Sequence, residues 1–262
     1  MRYSKGSIQV DPTYDEGLLR QVLHSGFISA GQLWRCMELD GHGLARRSFN
    51  WRLQRLVDHQ MIRLHRNVAL GGARVYSVDR WGVAHLAGRG EDCVGVCERL
   101  ESADETAVLH ALDLNDIRLA VKECGALVEW KSEMEIRSRN EFTTFGYAKD
   151  YDAVVTVMVN GREAEVALEY ERTAKAAKKY REIRAAIESE TMIGQFLYLT
   201  INYHLLNFVT QFFERSRKRI YFGLAGDFRR ERLNMKVIDG TRTRSETLGT
   251  VLQRGGRSSI PQ

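Results

Sequence analysis

Apolar residues in the first quarter of the chain recur with the period of a helix. In residues 15–26, Leu18, Leu19, Val22 and Leu23 fall on one side. Ser29 suits the N-cap of a second helical segment, residues 29–39, whose Leu33 and Met37 share a face. The glycine-rich turn at 40–43 interrupts that pattern. A third helix is predicted over 44–60, with Ala45, Phe49, Leu53, Leu56 and Val57 on its inner side. Residues 61–78 change period, with extended runs on either side of Leu70-Gly71-Gly72, a hairpin signal. Residues 79–86 return to a short helical pattern.

Three helices followed by a hairpin is the order of a winged helix-turn-helix, assigned here to residues 12–90. The outer side of the third helix carries Arg46, Arg47, Ser48, Asn50, Trp51, Gln54 and Arg55. Guanidinium forks match guanine edges or phosphates, and an amide matches adenine, so this side suits the major groove of double-stranded DNA. Arg66 and Arg74 flank the hairpin turn, where a wing would meet phosphates or the minor groove. The plainer reading is a solvated basic helix face; the full order of elements favours DNA binding.

The second half begins with an amphipathic helix over 105–124, with Val108, Leu112, Ile117 and Val121 among its apolar positions. Strands are predicted over 127–136, 151–159 and 163–171, the last two joined by Asn160-Gly161, a strong two-residue hairpin turn. In that register Val159 faces Arg162, Ala153 faces Leu168, Asp152 faces Glu169 and Asp150 faces Glu171. One face is then apolar and the other gathers four carboxylates at one end. Facing like charges need compensation by lysine, a proton or a divalent cation. Lys175, Lys178 and Lys179 lie on the following helix; Asp152 and Glu169 are the candidate ligands for Mg²⁺, and Asp152, Glu169, Lys175 and Lys179 the candidate catalytic set if the site cleaves phosphodiesters. A solvated polar face neutralised by lysine is the alternative. Residues 192–213 read as one long apolar helix, suited partly to the core and partly to a homodimer contact. A final strand is predicted at 220–224.

Composition places these elements in a globular chain: 262 residues, 44% hydrophobic and 28% charged, with a net charge of +5 that suits an anionic partner. The N-terminus lacks the apolar run of a signal peptide, and polar residues interrupt the 192–213 stretch, so no membrane span and a cytoplasmic location are expected. Cys36, Cys93, Cys97 and Cys124 are too few and scattered for a disulfide framework. Cys93 and Cys97, with His85 and His110, lack finger spacing and read as idle thiols.

Several stretches together resemble the replication-relaxation family of bacterial plasmids and mobile elements: His110 to Arg118, Trp130 and Glu133, Tyr151-Asp152-Ala153-Val154, Leu168 to Thr173, and Lys179-Tyr180. The resemblance covers roughly residues 15–185. It implies an α+β chain in which the winged helix precedes a mixed α/β domain, assigned to 104–240, like the PD-(D/E)XK nuclease-like fold. Asp152 then matches the first acidic position and Glu169 the second. Tyr151 stands where that pattern has proline, and Glu171 where an active nuclease has lysine. The implied function is a DNA-binding regulator of transcription, replication or mobilisation with a non-catalytic second domain, needing no cofactor to bind DNA. A Mg²⁺-dependent nuclease and an accessory protein recruiting replication or relaxation proteins are the alternatives. Residues 241–262 read as a flexible basic tail.

Overall fold

The computed structural model describes residues 8–65, 73–91, 93, 95–240 and 245–254. It is a mixed α+β chain that divides into two compact units, Met1–Leu119 and Ala120–Gln262. In the first unit α1 (Asp15–Ser25), β1 (Ile28–Ser29), α2 (Ala30–Leu39) and α3 (Arg46–Asp58) precede β2 (Ile62–His65) and β3 (Val75–Val78). They are followed by α4 (Arg80–Ala87), α5 (Val96–Glu101) and most of α6 (Glu105–Glu123). The strands form an antiparallel sheet in the order β1-β3-β2.

Local chemistry accounts for these elements. Ser29 and Gln32 form a capping box that starts α2, each side chain taking up a backbone N–H of the other. Leu18, Leu19, Val22 and Leu23 of α1, Leu33 and Met37 of α2, and Phe49, Leu53 and Leu56 of α3 are all buried. Ala45 was expected inside but is exposed, because it stands at the N-cap and not within the helix. The turn expected at 70–72 and Arg66 lie outside the described residues; β2 and β3 pair antiparallel, from Ile62 with Val78 to His65 with Val75. The division between units falls inside α6. Asn115 of this helix donates to the Phe27 carbonyl at 2.7 Å, and Gln32 donates to Asp116 at 2.6 Å, binding α6 as far as these residues to the first unit.

The second unit is built on a seven-stranded sheet. Its elements are β4 (Leu127–Ser132), α7 (Glu133–Phe142), β5 (Ala153–Val159), β6 (Arg162–Glu171), α8 (Ala177–Ser189), β7 (Gln195–Thr200) and α9 (Tyr203–Thr210). Then follow β8 (Arg219–Leu224), α10 (Ala225–Glu231), β9 (Lys236–Asp239), β10 (Ser245–Thr247) and α11 (Leu248–Gln253). The strand order is β10-β9-β8-β7-β6-β5-β4, with β6, β7 and β8 parallel and the remaining pairs antiparallel. The β5–β6 hairpin has the register anticipated, from Val159 with Arg162 to Ala153 with Leu168. Asn160 and Gly161 supply the positive φ values, 50° and 77°, that such a turn needs.

Four segments depart from the sequence reading. Residues 192–213 do not form one helix: Gln195–Thr200 is a strand buried on both faces between β6 and β8, and α9 begins afterwards where Asn202 caps Leu205 N–H. A parallel central strand is apolar on both sides, so its composition mimics a buried helix. The strand predicted over 127–136 stops at Ser132, which forms a capping box with Glu135 and opens α7. Strand β5 begins at Ala153, two residues later than expected. Part of the segment read as a tail, residues 245–253, forms β10 and α11, and Leu248, Val251 and Leu252 are buried.

Close approach fixes one glycine. A methyl group on Gly82 of α4 would overlap the Met61 carbonyl and lie 2.9 Å from Val78 Cγ2. Gly82→Ala is therefore expected to destabilise the first unit by about 1–3 kcal/mol, an overpacking cost. Urea denaturation with an unchanged midpoint would show that α4 can move aside freely.

Candidate functional site

The first candidate surface is the outer side of α3. Arg46, Arg47, Ser48, Trp51 and Gln54 are exposed on it, and Trp51 keeps 58% of its surface open. The Arg46 guanidinium lies 4.8 Å above the Trp34 ring, which orients it without burying its charge. Gln54 donates to Asp58 at 2.8 Å, and Asn50 is half-buried. Arg74, just before β3, is exposed.

Arg55 is placed differently from the sequence reading. Its guanidinium is ion-paired with the fully buried carboxylate of Asp15 in α1 and also stacks 4.8 Å from the Trp51 ring. Arg52 joins the same carboxylate at 2.7 Å. A buried charge without partners is strongly unfavourable, so these two guanidiniums belong to the packing of α3 on α1. Arg55 therefore supports the outer face and is not open on it.

The second candidate is a cavity of about 580 Å³ in the second unit, lined among others by Arg137, Lys149, Asp152, Glu169, Lys175 and Lys179. Glu169 and Glu171 project from β6, and both are buried. They share their face of the sheet with Val154, Ala167, Phe196 and Tyr198, which pack into a core with α8 and α9. That face is thus largely apolar too, contrary to the one-sided pattern expected. Asp152 lies one residue before β5, and its Oδ2 accepts the Tyr170 N–H at 2.6 Å. The ladder ends at Ala153, so Asp150 does not face Glu171. It leaves the strand to meet Asn140 at 2.8 Å and Arg137 at 3.3 Å.

Glu169 and Glu171 each have a lysine of their own. Lys149 is ion-paired with Glu169, and Lys175 with Glu171. The Tyr198 hydroxyl donates to Glu171 at 3.2 Å. Lys179 lines the cavity but pairs with Glu182 at 3.2 Å. Burial weakens the Lys175 ammonium's hold on its proton, but Glu171, with Glu169 and Asp152, outweighs that effect and strengthens it. Sequence reasoning overlooked Lys149, because a loop lysine has no periodic signal. It also overlooked Glu190, whose buried carboxylate accepts from Ala148 N–H at 2.9 Å, the Tyr151 hydroxyl at 3.0 Å and Met192 N–H at 2.7 Å. Glu190 thereby holds the 148–151 segment that carries Lys149.

Asp152 and Glu169 offer carboxylate oxygens of the type Mg²⁺ prefers, with Lys149 already on Glu169. Among the described residues, no group of three or more His, Cys, Asp or Glu side chains is placed to hold a metal ion. No described helix is long and apolar enough to cross a membrane. Comparison with protein-family models, curated proteins and solved structures finds no match for this chain.

Burial pushes the Glu169 carboxyl up from 4.5 to about 7; Asp152 adds to the shift, and Lys149 and Lys175 oppose it. A carboxyl raised on folding contributes stability that is complete below its unfolded value of 4.5 and lost as pH rises through about 7. Glu169→Gln keeps the shape without that titration. Its stability should therefore improve relative to wild type between about pH 5 and about pH 8 in paired denaturation series. An equal difference at both values would sink the assignment.

Proposed function

We propose that this protein binds double-stranded DNA through the outer face of α3, with the first unit acting as a winged helix-turn-helix. The observation that carries the reading is the division of α3 itself. Phe49, Leu53 and Leu56 are buried, Arg52 and Arg55 are committed to Asp15, and Arg47, Ser48, Trp51 and Gln54 remain open on the other side. That helix follows two others and precedes a strand pair, as DNA-reading winged helices do. The biological role proposed is regulation of transcription, replication or mobilisation, in keeping with the resemblance to replication-relaxation proteins.

Arg47→Ala should weaken specific duplex binding by about 1–3 kcal/mol if the side chain reads a base edge. Arg74→Ala should weaken binding to all sequences alike and reduce the salt slope by about 1. Fluorescence anisotropy over a salt series separates the two effects. Wild-type affinity in both variants would remove α3 and β3 from the interface.

A second reading is favoured by the lysine on Glu169. The order β4, α7, β5, β6, α8, β7, with two antiparallel strand pairs and then a parallel one, supports a likeness to PD-(D/E)XK nucleases. In that reading Asp152 and Glu169 hold Mg²⁺, which would stabilise charge at the scissile phosphate, and Lys149 orients water. Fold likeness alone does not establish catalysis. Glu171 also adds negative charge where that pattern has lysine, so the non-catalytic reading is preferred. Plasmid and linear DNA are expected to remain intact in Mg²⁺ and Mn²⁺. Cleavage by wild type that disappears in an Asp152→Ala, Glu169→Ala double variant would establish the nuclease instead.

A further inference from the structure

We infer that the outer surface of α8 and α9 is a second nucleic-acid site, one that takes a single strand, with phosphates on Lys178 and Arg181 and bases stacked on Tyr203 and Phe208. This goes beyond duplex recognition by α3 and does not depend on it.

Placement follows from strand direction. Strands β6 and β7 run parallel with Glu171 beside Thr200, and the Ile201 N–H donates to the Glu171 carbonyl. The segments leaving both strands therefore start from the same end of the sheet, and α8 and α9 begin there. The helices also touch: Tyr180 of α8 packs against Phe208 and Phe212, and Arg184 donates to the Phe212 carbonyl at 3.1 Å.

Charge on this surface is strongly one-sided. Residues 172–184 hold six cations, Arg172, Lys175, Lys178, Lys179, Arg181 and Arg184, against the single carboxylate Glu182. Lys175 and Lys179 are engaged by Glu171 and Glu182. Lys178 and Arg181 are exposed, and neither makes an ion pair among the described residues. Two uncompensated cations on one helix suit successive phosphates.

Aromatic exposure selects the kind of strand. Tyr203 stands at the first turn of α9 with 65% of its surface open, and Phe208, five residues later, is braced edge-on by Tyr180 and Phe212 yet 36% open. A ring can stack only on a base whose face is uncovered, which a duplex withholds and a single strand offers. Cations tracking a backbone beside stacking rings are the common features of sequence-tolerant single-strand binding.

The test uses the full chain and a labelled oligothymidylate, with anisotropy measured across a KCl series. Wild type should bind. Tyr203→Ser should weaken binding about tenfold at every salt concentration. A Lys178→Ala, Arg181→Ala double variant should flatten the log–log salt slope by about 1.4, or 0.7 per phosphate contact. All substituted side chains are exposed, and an unchanged melting temperature checks the fold. An Arg47→Ala, Trp51→Ala variant should lose duplex binding and retain the oligothymidylate, which keeps the two sites distinguishable. The inference is overturned if wild type does not bind the oligothymidylate or if the α8–α9 variants bind it as well as wild type. It is also overturned if those variants convert a dimer to a monomer in sedimentation, which would identify the surface as a contact between copies.

Discussion

Carboxylates taken out of water must find a cation or several hydrogen-bond donors, and in this protein that requirement ties distant segments together. Asp15 is fully buried and is met by Arg52 and Arg55, so the geometry of α1 fixes the placement of α3. Glu169 and Glu171 meet Lys149 and Lys175, which fix the loop before β5 and the entry to α8. Among the described residues Glu190 has no lysine at its carboxylate and uses two backbone amides and a phenol instead. Removing one member of such a pair costs more than the pair contributes, because the survivor remains buried. These interactions act chiefly as locks on geometry.

The same locks divide the basic residues into structural and available ones. On a helical wheel Arg55 falls on the same outer side as Arg47; in the folded chain one is bound to Asp15 and the other is open. On α8 the distinction recurs, with Lys175 held by Glu171 and Lys178 left in solvent. A count of cations overstates what either surface can offer an anionic partner. What matters is the remainder after buried acids have taken theirs.

Local signals in the sequence were sufficient where an element is determined by its own residues. The Asn160-Gly161 turn gave the full β5–β6 register, and Ser29 marked the start of α2 because its cap is three residues away. Long-range partnerships were illegible. Nothing near Arg55 announces Asp15, forty positions earlier, and nothing near Glu169 announces Lys149, which reaches it only because the chain bends after α7. Strand β7 was misread for a different reason: periodicity reports which side faces water, and a strand with no wet side has no period to report. The candidate surface on α3 was therefore mostly visible in advance, and the lysine pairing in the cavity was not.

Parallel pairing of β6 with β7 has a consequence for how this protein can diversify. Both strands deliver their outgoing segments, residues 172–176 and 201–202, to one end of the sheet, clear of the hydrogen-bonded ladder that aligns Ala167–Glu171 with Phe196–Thr200. Insertions, or exchanges that spare Lys175 and Asn202, alter the rim while leaving every ladder hydrogen bond in place. Loop closure entropy rises only slowly with length, so such changes are thermodynamically mild. The scaffold thus separates a region that tolerates experiment from one that does not, and variation in ligand preference among descendants of this chain would accumulate at that rim.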